Sequence, residues 1–148
     1  AIVIQVALTE ENAIELLKKS GHIPKDATEK EIEYVLERIR FAKKWVEKYA
    51  PEQYKFRLQE EIPAGIVLDE KQKKALKQIS VSLKAKEYKE TQDLHDEFYN
   101  IARYLEMEPA DLFKAAYLVL IKKERGPQLA NFILTIGQDK VAAMFEKV

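Results

Sequence analysis

Chain breakers are scarce in this sequence, and their placement constrains the fold more than any other feature. Only four glycines and five prolines occur in 148 residues. They punctuate long tracts of Lys, Glu, Leu and Ala: Gly21 and Pro24, Pro51, Pro63 and Gly65, Pro109, Gly126 and Pro127, and Gly137. A backbone so seldom interrupted, with apolar residues recurring every three or four positions between the interruptions, folds as helices. The fold class is therefore all-α, with about six to seven helices in two halves.

Capping residues set the helix starts. Thr9, followed by Glu10 and Glu11, opens a helix that carries Ala13, Ile14, Leu16 and Leu17 and stops at Gly21. Thr28 opens a long second helix that carries Ile32, Val35, Leu36, Ile39, Val46 and Tyr49 at helical spacing until Pro51 ends it. Tyr34, Phe41 and Trp45 form a neighbouring stripe. Core packing against a further partner is the expectation for that stripe, and base stacking is the alternative. Residues 52–68 lack helical period and hold Pro63 and Gly65, which predicts an extended connector with a short strand at Tyr54–Leu58. The connector divides the chain into residues 1–68 and 69–148. Asp69 then caps a third helix, with Ala75, Leu76, Ile79 and Leu83 inward. Thr91 begins a fourth, Glu108-Pro109 a fifth, Gly126-Pro127 a sixth and Gln138 a last one.

Composition removes much of enzymology. With no cysteine there is no disulfide scaffold, no thiolate nucleophile and no cysteine-ligated metal. His22 and His95, the two histidines, are too far apart in sequence to suggest a histidine-rich metal centre. No Gly-rich phosphate loop, His-Glu-x-x-His or nucleophile elbow is present. Asp93, Asp96 and Glu97 read as surface charge on a solvated helix face, His95 as a bystander or cap with a relay as the sharper alternative, and His22 as part of a turn. Ser20-Gly21-His22-Ile23 has the wrong order and the wrong setting for a nucleotide-binding signature, because a helix ends there and Pro24 follows. No apolar run approaches the roughly 18 to 20 residues of a membrane span, and the opening Ala1–Leu8 lacks the marks of a signal peptide.

Charge is more informative. The 25 basic and 25 acidic residues cancel, so any positive field is local. Seven lysines (Lys71, Lys73, Lys74, Lys77, Lys84, Lys86 and Lys89) face one acid, Glu87, between residues 71 and 89, a net of +6. Lys122-Lys123-Glu124-Arg125-Gly126-Pro127 places cations just ahead of a helix N-terminus, whose free N–H groups favour an anion. Together these suggest an RNA or DNA surface, set against an ordinary solvated helix face.

Four segments resemble one family. Phe41-Ala42-Lys43-Lys44-Trp45-Val46-Glu47-Lys48-Tyr49-Ala50-Pro51-Glu52-Gln53-Tyr54-Lys55-Phe56, Leu94-His95-Asp96-Glu97-Phe98-Tyr99-Asn100-Ile101-Ala102, Leu112-Phe113-Lys114-Ala115-Ala116-Tyr117 and Lys123-Glu124-Arg125-Gly126-Pro127-Gln128-Leu129 are similar to the C-terminal part of class I, archaeal-type lysyl-tRNA synthetase. The last of these, continued to Ile136-Gly137, also resembles the end of the glutamyl-tRNA synthetase anticodon-binding domain. The segments around Trp45 and Leu94 favour lysine.

The resemblance implies an α-helix cage that binds the tRNA anticodon loop, in a fragment without the catalytic domain. The full enzyme of that family is a monomeric cytoplasmic ligase that joins lysine to its tRNA using ATP with Mg, and the fragment itself needs no cofactor. Its partners would be the anticodon stem-loop of lysine tRNA and the catalytic domain of the same polypeptide, with no membrane. Residues 1–8, β-branched and apolar, would then be the remainder of a helix despite their strand propensity. A uridine-rich anticodon needs donors for uracil carbonyls and an acceptor for N3–H. Chemistry and position favour Arg125 and Gln128 at the start of the sixth helix, and Asn100 and Arg103 on the polar side of the fourth. Lys122 and Lys123 would hold phosphates, with Lys84 and Lys86 as weaker contacts. Arg125 as a cap of the fifth helix and Asn100 as a tie to a backbone carbonyl are the structural alternatives. A helical scaffold domain whose lysines only confer solubility is the competing functional class.

Overall fold

The computed structural model describes residues 5–7, 9–52 and 55–148. Seven helices span them: α1 Glu10–Lys19, α2 Glu29–Tyr49, α3 Glu70–Ala85, α4 Thr91–Tyr104, α5 Pro109–Ile121, α6 Leu129–Ile136 and α7 Gln138–Glu146. The all-α expectation holds, and there is no strand among the described residues. The strand expected at Tyr54–Leu58 is absent over residues 55–58, where the chain is irregular, while Tyr54 lies outside the described residues. With no neighbouring strand, its β-prone residues have no ladder to join. Of the predicted N-terminal helix remnant, Gln5 and Val6 are helical, and residues 1–4 and Leu8 lie outside the described residues.

The chain forms two compact units, residues 1–57 and 58–148. In the first, the Thr9 hydroxyl accepts the Asn12 N–H to start α1, and Gly21, at φ 76°, takes the left-handed conformation that ends it. Thr28 and Glu31 then form a reciprocal capping box at α2. Ala13, Ile14, Ile23 and Ile39 form a small core flanked by Leu17, Ile32, Val35 and Leu36. Arg40 donates two 2.8 Å hydrogen bonds to the Glu10 carboxylate and so fastens α1 to α2. That pairing holds the Glu10 carboxyl below its usual range.

In the second unit α3 packs chiefly against α7 and also against α5 and α4, while α4 packs on α5 and α6. The core includes Leu76, Ile79, Leu94, Phe98, Leu112, Val119, Leu120, Phe132, Ile133 and Phe145. The later part of the predicted connector belongs to this unit. Leu58 and Pro63 are buried, and the Gln59 N–H donates to the Leu120 carbonyl at 2.7 Å. The buried polar residues Gln72 and Ser80 are satisfied across elements. Gln72 closes a capping box with Asp69 and donates to the Asp111 carbonyl at 3.0 Å. Ser80 donates to the Ala142 carbonyl at 2.7 Å.

Candidate nucleic-acid interface

Between α5 and α6 the chain turns a tight corner. Lys122 ends α5 in the left-handed conformation, with φ 54° and ψ 35°. Four residues on, Gly126 passes so close to α5 that a Cβ there would lie 2.9 Å from both Ile121 Cδ1 and Tyr117 Cδ1. Only glycine fits that approach without moving the ring. The Tyr117 hydroxyl donates to the Pro127 carbonyl and locks the turn. Burial pushes the Tyr117 phenol up to about 12.

This locked corner displays the predicted cations. Lys122, Arg125 and Gln128 are exposed, and Lys123 is partly buried. Gln128 occupies the N-cap position of α6 without using its side chain as a cap, so the opening N–H groups of the helix have no side-chain acceptor there. Arg125 makes no hydrogen bond or ion pair among the described residues, and it does not cap α5. Glu124 turns instead to Lys114, 3.4 Å away, and so does not neutralise Arg125. The arrangement sets a planar guanidinium and an amide beside a helix N-terminus, chemistry suited to a phosphate and a base edge.

The remaining predicted residues divide between other surfaces. Asn100 and Arg103 are both exposed on α4, three residues apart and therefore on one face. Asn100 makes no side-chain hydrogen bond among the described residues, so it does not tie down a carbonyl. Lys84 and Lys86 sit at the end of α3 and are already engaged. Lys84 pairs with Glu146 of α7 at 2.5 Å, and Lys86 Nζ lies 5.1 Å from the Tyr88 ring centroid. Their charges are shared with protein groups, unlike that of Arg125.

Asp93, Asp96 and Glu97 do not converge on a site. Asp96 accepts from Gln92 at 2.7 Å, and Glu97 accepts from Ser82 at 2.9 Å. His95 neither caps nor relays. Its ring stacks on Phe113, centroids 6.2 Å apart, and meets Tyr99 edge-on at 5.0 Å. Its Nδ1 is enclosed without a partner among the described residues. His22 serves its turn, with Nδ1 2.8 Å from the Ser20 hydroxyl.

The aromatic stripe of α2 corrects the expectation of core packing. Tyr34 is 60%, Phe41 75%, Trp45 54% and Tyr49 62% exposed. The small core of the first unit is filled from the opposite arc by Ile32, Val35, Leu36 and Ile39, which leaves the rings outside it. The signal was available in the sequence: Arg38, Lys44 and Lys48 fall between the rings, and buried helix faces seldom carry unpaired cations.

Among the described residues no helix is long and apolar enough to cross a membrane, and no cluster of His, Asp and Glu could hold a metal ion. No family model matches the chain. Among curated proteins it is 33% identical over 142 residues to the lysine–tRNA ligase of Pyrococcus horikoshii, covering 95% of this chain and 27% of that protein. It is 35% identical over 134 residues to the lysine–tRNA ligase of Thermococcus kodakarensis, covering 90% and 25%. To the lysine–tRNA ligase of Borreliella burgdorferi it is 36% identical over 140 residues, covering 94% and 25%. The chain thus spans about a quarter of the length of the relatives it matches, and the resemblance to lysyl-tRNA synthetases is borne out.

Proposed function

We propose that this relative of the lysine–tRNA ligases is the C-terminal, anticodon-binding α-helix cage of a class I, archaeal-type lysine–tRNA ligase. The residue-bearing observation is the corner at Lys122–Gln128, where Arg125 is exposed and unpaired among the described residues beside a helix N-terminus. Similarity over nine-tenths of the chain to lysine–tRNA ligases supports the assignment to lysine. On this reading Arg125 and Gln128 address unpaired uridines, Lys122 and Lys123 hold the backbone, and Asn100 and Arg103 supply further donors from α4. Lys84 and Lys86 contribute less, because an acid and a ring already share their charge.

The domain binds and discriminates, and makes no bond. On this reading ATP and Mg serve a full-length, cytoplasmic, monomeric enzyme of which this domain is a part. The test is binding to a lysine anticodon stem-loop and to one with its anticodon uridines changed to cytidines, at two salt concentrations. The expected result is tighter binding to the uridine loop, with a salt slope set by about four to six phosphates at about 0.7 per contact. Arg125→Ala should remove most of the discrimination, and a flat salt dependence would contradict the reading. A scaffold domain would bind neither loop.

A further inference from the structure

The exposed face of α2 is a second surface that calls for a ligand. Tyr34, Phe41, Trp45 and Tyr49 stand on one side of a single helix, rising about 22 Å from first to last at 1.5 Å per residue. Arg38, Lys44 and Lys48 are exposed among them. The Arg38 guanidinium carbon lies 5.9 Å from the Tyr34 ring centroid, and Lys48 Nζ lies 5.4 Å from that of Tyr49. Trp45 and Tyr49 are 6.3 Å apart and tilted by 42°, so the two rings do not stack on each other. Tyr34, Glu37, Arg38, Phe41 and Ala42 line a shallow concavity at one end of the stripe.

The charge decides between partners. From Tyr34 to Tyr49 the helix carries Arg38, Arg40, Lys43, Lys44 and Lys48 against Glu37 and Glu47, with Arg40 paired to Glu10, in a chain whose overall charge is zero. Protein interfaces enrich aromatics but deplete lysine. Rings alternating with cations are instead the pattern of single-strand nucleic-acid platforms, where bases stack on π-faces and cations follow the backbone.

We propose that the Tyr34–Tyr49 face of α2 binds unpaired RNA by base stacking, as a contact separate from the Lys122–Gln128 corner. The proposal rests on the reading of the chain as an RNA-binding domain. Phe41 and Trp45 offer ring faces, Lys44 meets a phosphate, Arg38 and Lys48 contribute less because they already lie over the Tyr34 and Tyr49 rings, and the Glu37 carboxylate accepts a base N–H. Because this readout is by stacking, it tolerates any base.

Trp45 is the single tryptophan, so its emission reports this face directly. The experiment titrates the chain with the lysine anticodon stem-loop and, separately, with a short oligouridylate, and follows Trp45 quenching. Expected are saturable quenching by both RNAs and a loss of affinity of roughly five- to a hundredfold in Phe41→Ala, the effect of removing one stacking ring. Phe41 is exposed, so the variant should melt with the parent chain. Bound RNA with unchanged Trp45 emission, or a Phe41→Ala chain that binds as tightly as its parent, would overturn the proposal. If Arg125→Ala still weakens stem-loop binding in that case, the corner reading survives alone. Loss of uridine discrimination with quenching by oligouridylate intact would do the reverse. Quenching that follows protein concentration and not RNA would identify a second copy as the occupant and overturn the proposal.

Discussion

Tyr117 does two jobs at the corner: its ring faces Gly126 and its hydroxyl holds the Pro127 carbonyl. Replacing it with phenylalanine should cost about 1 kcal/mol, the net worth of one hydrogen bond. The pH dependence of that difference is more specific. Burial raises the phenol from 10.0 to about 12, so the folded chain holds the proton more tightly than the unfolded one. Below pH 10 the contribution is complete, and it is lost as pH rises from about 10 to about 12. Melting of the parent and Tyr117→Phe chains across that window should show the gap between them narrowing. Lys122 supplies a second residue-scale test. A lysine at φ 54° suffers the Cβ crowding that glycine avoids, so Lys122→Gly should raise stability by about 1 kcal/mol. Under the proposed function the same change weakens RNA binding, and calorimetry with a binding titration would separate the two effects.

At the scale of elements, the helices were legible because each advertises its own ends. Thr9, Thr28 and Asp69 cap as expected, and Pro109 stands at the start of α5. Joints made by side chains distant in sequence were not legible. Gln138 is the clearest case: its carbonyl oxygen accepts the Tyr88 N–H at 2.7 Å, and its amide donates to the Leu83 and Lys86 carbonyls at 3.1 and 2.8 Å. One glutamine thus fastens α7 to the end of α3, a role no periodicity reveals. Gln138→Ala leaves the N–H of buried Tyr88 unpaired and should cost about 2 kcal/mol, read as a lower urea midpoint at constant m-value. The aromatic face of α2 was misjudged for a related reason. An apolar stripe predicts burial only if another element exists to cover it, and a single sequence does not count its own neighbours. The corner was legible because its signal is local, a cation run set against Gly126-Pro127 and a helix start. The free state of Arg125 and the engagement of Lys84 were not.

Across the whole molecule, 25 positive and 25 negative groups cancel, so long-range attraction cannot bring a polyanion to this chain. Under the proposed function recognition comes from patches, and two of them combine cations with groups suited to bases: the corner at Lys122–Gln128 and the face of α2. They lie in different compact units, and each is tested by its own variant. The α3 lysines, most numerous in the sequence, contribute less than their number suggests. Lys71 donates to the Glu106 carbonyl, and Lys84 holds Glu146. A footprint of lysine tRNA bound to the chain tests the central claim most directly. Protection of the anticodon loop, lost in Arg125→Ala and absent from the acceptor stem, is the predicted result. Protection centred on the acceptor stem, or no protection at concentrations that saturate the full-length enzyme, would contradict it.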